Sequence, residues 1–269
     1  MQLTLTGLFP TLRVVVLGSG SGGNAVVVES GAGRLLIDAG FSRRELERRL
    51  RQVGIEPPGI DAVVLTHEHE DHVRGAARFA GKHRIPIYAT PGTLEATDLR
   101  RSTAAPVCVL ASGEPRSIGG FQVQPFAVPH DAREPVGLVV EDAAGRRVGL
   151  VADLGCRSRL AWGRLRDLDL LLIETNHDLE MLRSGPYPWW LKQRIASAHG
   201  HLSNRAAAEG MPELLSDRLR WIVLYHLSRT NNLPALALAA VQEELAARGA
   251  AAEVVVSGQF EPTPWLELA

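Results

Sequence analysis

Cysteine is nearly missing from this chain: Cys108 and Cys156 are its two thiols in 269 residues. That is too few for the disulfide framework of a small secreted domain, and Cys156 reads as a buried structural thiol. Net charge is nearly missing too, at −1, so any nucleic-acid surface must come from local clusters and not from bulk basicity. No stretch approaches the roughly 20 apolar residues that span a bilayer. Residues 1–5 lack the basic segment and long apolar core of a leader. A cytoplasmic location without membrane attachment is the expectation. No low-complexity segment or linker interrupts the sequence, so residues 1–269 read as one domain, and 45% hydrophobic residues suffice for its core.

A further absence excludes a nicotinamide cofactor. Gly18-Ser19-Gly20-Ser21-Gly22-Gly23 follows the apolar run Val14-Val15-Val16-Leu17 and satisfies the dinucleotide fingerprint. That fingerprint needs a helix next, whose N-terminus holds the pyrophosphate. Here Ala25-Val26-Val27-Val28-Glu29 follows, a β-branched run that ends in the turn Gly31-Ala32-Gly33. The glycines therefore read as a tight hairpin, with Ser19, Ser21 and Asn24 offered to a substrate phosphate or to the turn itself.

What the chain has is histidine concentrated in one place. Three of its nine histidines, His67, His69 and His72, fall with Asp71 inside residues 66–72. They follow Ala62-Val63-Val64-Leu65, which reads as a buried strand. Imidazole and carboxylate are preferred ligands of zinc and neighbouring divalent ions. His67 and His69 point the same way in an extended turn, while Asp71 and His72 lie past the bend and can face a second ion. Further ligands must come from later in the chain. His130, Asp153 and His226 each end an apolar run. Asp38, after Leu35-Leu36-Ile37, suits an acceptor for the N–H of a metal-bound histidine. Glu68 and Glu70 alternate with the ligands and point away.

Strands are expected at 14–17, 25–29, 34–38, 62–65, 85–88, 121–128, 137–141, 147–152, 170–174 and 254–256. A helix starts after Ser42, with Glu45 completing a capping box. Others follow from Val73, at 189–198 and 204–215, and at 233–248, the last opening on Pro234. Two sets of strands with helices outside make a four-layer αββα sandwich.

His177 and His201 sit at the same rim and are the candidate proton donors, whereas His83 and His199 read as structural. Tyr187-Pro188-Trp189-Trp190-Leu191-Lys192-Gln193-Arg194 interleaves aromatics with cations, which suits base stacking and phosphate contact. Adjacent Trp189 and Trp190 cannot share a helical face, so one is expected to be buried. Arg229 and Asn232 follow His226 closely and are candidate substrate contacts.

His-x-His-x-Asp-His with a later His, Asp and His resembles the metallo-β-lactamase superfamily of binuclear hydrolases, from about Arg13 to Gly258. Gly18-Ser19-Gly20-Ser21-Gly22-Gly23-Asn24, Glu174-Thr175-Asn176-His177-Asp178, Gly185-Pro186-Tyr187-Pro188 and Gly200-His201-Leu202-Ser203-Asn204 narrow it. With His226-Leu227-Ser228-Arg229-Thr230-Asn231-Asn232 they resemble the bacterial YycJ (WalJ) group, a DNA exonuclease branch. The resemblance implies His67, His69 and His130 on one ion, Asp71, His72 and His226 on another, and Asp153 bridging. Ala152, Leu154 and Gly22 depart from the residues usual in that group. Two divalent ions, Zn or Mn with Fe as an alternative, would share a water, lower its pKa and supply hydroxide. Asp71 would accept the nucleophile's proton. The implied activity is 5′ to 3′ hydrolysis of DNA. Alternatives are RNA processing, hydrolysis of a small cyclic phosphate, thioester hydrolysis, or a metal-stabilised nucleic-acid-binding scaffold. A cytoplasmic location argues against an antibiotic-degrading lactamase. The oligomeric state is not legible.

Overall fold

Both faces of each sheet are covered, which is why the strands read as unbroken apolar runs. The structure, a computed structural model, describes residues 11–268, so the reading of residues 1–5 falls outside the described residues. Strands β1 (Leu12–Gly18), β2 (Ala25–Ser30), β3 (Gly33–Ile37), β4 (Ala62–Val64), β5 (Ile87–Ala89) and β6 (Val107–Val109) form one sheet. Strands β7 (Arg116–Ile118), β8 (Phe121–Ala127), β9 (Val136–Glu141), β10 (Arg147–Val151), β11 (Leu170–Glu174), β12 (Trp221–Tyr225) and β13 (Glu253–Val256) form the second. β14 (Leu266–Leu268) returns to the first sheet beside β1.

Alternate residues of each strand face opposite layers. Val14, Val16, Val26 and Ile37 of the first sheet meet Val123, Leu138, Leu150 and Val223 of the second in the central core. Their neighbours Val15, Leu17, Val27 and Leu36 pack outward on Leu46, Leu50 and Phe79 of the helices Arg43–Gln52 and Ala76–His83. On the far side, Val151, Leu171 and Ile173 pack on Trp162, Ala207 and Val241 of Arg159–Arg164, Asn204–Gly210 and Pro234–Arg248. The result is the four-layer αββα sandwich. Each fully buried Leu contributes about 1.5–3 kcal/mol, so Leu46→Ala would loosen the first helix. That helix starts where expected, with the Ser42 hydroxyl accepting the Glu45 N–H at 3.3 Å. Among the described residues, no helix is long and apolar enough to cross a membrane.

Several elements differ from the sequence reading. β6, β7 and β14 and the helices Pro91–Ala96, Leu99–Ser102 and Leu179–Ser184 were not anticipated; three to six residues are too few to show a period. The helix expected at 204–215 stops at Gly210 and tightens into a 3-10 turn at Met211–Glu213, where Pro212 has no N–H to continue the α ladder. That expected from Val73 is split into Glu70–Val73 and Ala76–His83. The Gly18–Gly23 segment is a hairpin between antiparallel β1 and β2.

β3 runs parallel to β4, and β10, β11 and β12 run parallel to one another. In each sheet the C-terminal strand ends therefore fall at one edge, where open α/β sheets place ligands. Two non-glycine residues there adopt left-handed backbone, Asp38 (φ 59°) and His226 (φ 57°). Such strain persists where surrounding contacts over-determine it: Asp38 N–H donates to the Val64 carbonyl at 2.9 Å, and His226 N–H donates to the Ser19 hydroxyl at 2.7 Å. Gly40 is required beside Asp38, because a Cβ there would run into the Asp71 carbonyl.

Candidate metal centre

After β4 comes a loop bent at Thr66, then the helical turn Glu70–Val73, presenting His67 and His69 from the loop and Asp71 and His72 from the turn. His130 follows β8, Asp153 follows β10 and His226 follows β12. The structure brings all seven together. Donor atoms of His67, His69, His130 and Asp153 lie within 4.8 Å of one another, as do those of Asp71, His72 and His226. Asp153 stands between the groups. Its Oδ2 is 3.4 Å from His67 Nε2, 3.3 Å from His130 Nε2 and 3.6 Å from His72 Nε2, and its Oδ1 is 2.8 Å from His226 Nδ1.

Fixed partners on the outer nitrogens aim lone pairs inward. His72 Nδ1 is 2.7 Å from Asp38 Oδ2. His130 Nδ1 donates to the Gly200 carbonyl at 2.9 Å. His67 Nδ1 is 3.1 Å from the Thr66 hydroxyl, which donates to Asp38 at 2.9 Å. Holding one ring nitrogen in this way sets the tautomer and leaves the other as a ligand. His130 Nε2 and His69 Nδ1 then face each other at 3.2 Å, and buried His67 Nε2 has no hydrogen-bond partner. Converging imidazole lone pairs, one of them orphaned, around a shared carboxylate fit divalent metal ions.

Charge is distributed unevenly over the cluster. Burial, then the nearby His72, pushes His67 down to about 4, and burial lowers His130. Burial opposes a charge on His72 as well, but Asp38, Asp153 and Asp71 outweigh it and push this ring up to about 9. His226 is raised well above the usual histidine value, Asp153 outweighing burial.

Glu174, which opens the Glu174-Thr175-Asn176-His177-Asp178 motif, is a further member of the site that the sequence pattern does not by itself reveal. It ends β11 and is fully buried. Its Oε1 lies 2.7 Å from His201 Nδ1 and 2.9 Å from His226 Nδ1, while its Oε2 accepts the backbone N–H groups of Leu154 at 2.7 Å and Leu202 at 3.0 Å. Burial works against its charge, yet His201 and His226 hold it below the usual carboxylate range. His201 is correspondingly raised, with Glu174 outweighing burial. An acid closing the otherwise apolar Leu170-Leu171-Leu172-Ile173 run was the available signal.

Other expected site residues divide. Ser19 is buried, its hydroxyl joining His226 N to Asn24 Oδ1 at 3.2 Å. Asn24 Nδ2 reaches Asp71 Oδ2 at 3.3 Å and His72 Nε2 at 3.1 Å. Asn232 exchanges hydrogen bonds with Asn204 and caps the Thr175 carbonyl. These three, expected as substrate contacts, have their polar atoms engaged inside the protein. Ser21 is exposed. Trp189 and Trp190 are both exposed, at 68% and 64%; the expectation of one buried ring fails because their short helix has no buried residue. Lys192 donates to the Arg183 carbonyl at 2.7 Å and Arg194 to Asp131 Oδ2 at 2.6 Å. Arg229 lies over the exposed Phe260 ring, 4.9 Å from its centroid. His177 is buried and outside the two ligand groups, lining a pocket with His201 and partly exposed Cys156, so that thiol is less buried than expected. Burial pushes His177 down to about 4. His83 pairs with Glu47 at 3.0 Å.

A beta-lactamase superfamily domain model matches residues 33–222. The chain belongs to that superfamily. Within it, the chain is 34% identical over 240 residues to the exodeoxyribonuclease YycJ of Bacillus anthracis, covering 88% of this chain and 90% of that one. It is 36% identical over 237 residues to the exodeoxyribonuclease WalJ of Streptococcus pneumoniae, covering 86% and 87%. Its fold matches the metallo-beta-lactamase fold protein YhfI from Bacillus subtilis with a TM-score of 0.73 at 19% identity, over 96% of this chain and 100% of that one.

Proposed function

We propose that this superfamily member is a binuclear metal-dependent phosphodiesterase, a cytoplasmic DNA exonuclease working from 5′ ends, built as one domain. The observation that carries the reading is the convergence of two ligand groups on Asp153, with the Glu174–His201 pair beside them. Its exodeoxyribonuclease relatives, aligned over nearly the whole chain, support DNA as substrate.

His67, His69 and His130 would hold one ion, Asp71, His72 and His226 the other, and Asp153 both. Bound there, zinc or manganese ions would supply an activated water and neutralise charge growing on the phosphate. The chain's own residues do the rest. Asp71, 3.3 Å from His226 Nε2, accepts the nucleophile's proton. Glu174 holds His201 Nδ1 and favours the protonated ring, and in that imidazolium form Nε2 carries the proton given to the leaving oxygen. His177, held neutral to about pH 4 by burial, is poorly suited to that step.

The test combines elemental analysis with a labelled panel of single- and double-stranded DNA, RNA and bis(p-nitrophenyl) phosphate, assayed with Mn²⁺ or Zn²⁺. The expected result is close to two ions per chain and hydrolysis favouring DNA. His201→Ala should impair DNA, whose alkoxide leaving group needs a proton, far more than the nitrophenyl ester, whose leaving group does not. Trace metal only, or equal loss on both substrates, would overturn the ligand set or the proton donor respectively.

A further inference from the structure

Between the helix Trp189–Ile195 and the glycine hairpin lies a pocket of about 180 Å³ with His201 in its wall. Ser21 and Ser228 line one side, Tyr187, Leu191 and Arg194 the other, and Asp131 faces it as well. Its charges are already committed. Arg194 Nε donates to Asp131 Oδ2 at 2.6 Å, and His201 Nδ1 is held by Glu174. Besides the Arg194–Asp131 pair and His201, the side chains of the lining are neutral: three hydroxyls, the apolar Leu191 and Ile195, and the carboxamide of Asn176, whose Nδ2 donates to the His226 carbonyl at 2.9 Å. The Ser228 oxygen accepts the N–H groups of Thr230 and Asn231, so its proton is available to donate.

A pocket for a terminal phosphate offers an unpaired cation or a fan of backbone N–H groups. This one offers a guanidinium neutralised by a carboxylate. Its volume falls below the roughly 300–1,000 Å³ of drug-sized clefts, which leaves room for one sugar and base and not for a stacked pair. We propose that this pocket binds the terminal nucleoside of a nucleic-acid strand through its neutral sugar and base, and that Asp131 rejects a phosphate on the terminal hydroxyl. The proposal rests on the nucleic-acid phosphodiesterase reading above and adds that the accepted end carries a free hydroxyl.

The experiment uses the metal-loaded enzyme and three single-stranded oligonucleotides of one sequence, with hydroxyls at both ends, a 5′-phosphate, or a 3′-phosphate. The readout is the ratio of kcat/KM for the hydroxyl-ended strand to that for the strand phosphorylated at the engaged end. We expect a ratio of about ten, the equivalent of one modest like-charge contact. Asp131→Asn, which releases Arg194, should bring the ratio below one, and Arg194→Gln, which leaves Asp131 uncompensated, should raise it. A merely structural ion pair would move both variants the same way. Preference for a phosphorylated end, or an unchanged ratio in both variants, overturns the pocket assignment and leaves the nuclease reading intact. Failure to cleave any oligonucleotide while bis(p-nitrophenyl) phosphate is hydrolysed overturns both.

Discussion

On one side of Asp153, His67 and His130 are lowered as bases; on the other, His72 and His226 are raised. The first group sits among other imidazoles, which together with burial disfavour a proton and leave lone pairs ready for a cation. The second is surrounded by carboxylates, Asp38, Asp71 and Glu174, which stabilise a proton in the absence of an ion. Similar ligands are thus tuned in opposite directions by their neighbours. A metal held by the second group must therefore expel protons that burial and neighbouring imidazoles disfavour on His67 and His130.

Asp153→Ala should produce the largest effect, because it removes the one carboxylate that touches both groups: no detectable turnover in a steady-state assay, with the fold retained by circular dichroism. Cys156→Ala, three residues away, should stay within about twofold, as expected of a packing thiol. Comparable losses in the two variants would mean the halves do not meet at Asp153.

Glu174→Gln should cost about 10–100-fold in kcat on DNA and lower the basic limb of the pH profile, since His201 would no longer be held protonated. An unshifted profile would place the proton elsewhere. Asp38→Asn should weaken metal binding by about 10–100-fold in the His72 group, and less in the other group, which Asp38 reaches only through Thr66 and His67, measurable as a larger loss in the second binding step of a Mn²⁺ titration.

The comparison is sharpened by pH. A ring raised to about 9 keeps its proton below that value, so affinity of the Asp71–His72–His226 group should fall as pH drops from 9. The slope approaches about tenfold per pH unit for each proton expelled. The His67–His69–His130 group, whose His67 binds a proton near 4, should lose much less between pH 8 and 6. By the same linkage, the contribution of charged His72 to metal-free stability is complete below about 6.5 and is lost as pH rises through 9. Calorimetric titration at three pH values would separate two steps with different slopes; identical slopes would dissolve the distinction. Trp189→Ala with Trp190→Ala should act on binding alone, raising KM for DNA by the equivalent of about 1–3 kcal/mol per stacked base lost.

The two halves also differ in how far they were legible. Four donors of the first sheet lie within residues 66–72, so their chemistry and spacing could be read directly, and His130, Asp153 and His226 were found because each closes an apolar run. The layering was legible for the same reason, since long runs such as 121–128 leave no ambiguity of period. Roles fixed by contact were not. Whether Ser19 and Asn24 meet substrate or brace His226 and Asp71 depends on a packing between hairpin and turn that spans 207 residues for the Ser19–His226 bond. Glu174 was overlooked because a strand-end acid announces nothing until two histidines from other loops arrive at its oxygens.

The left-handed backbone at His226, locked by Ser19, has a consequence in time. The Ser19 hydroxyl leaves the ribosome some two hundred residues before the N–H it must grip, and contacts so distant in sequence form late in folding. Until β12 is synthesised and docked, an emerging chain displays the His67–His72 cluster without its closing ligand. Such a nascent chain holds the first ligands of the site without the last, so completion of the site waits on the docking of β12.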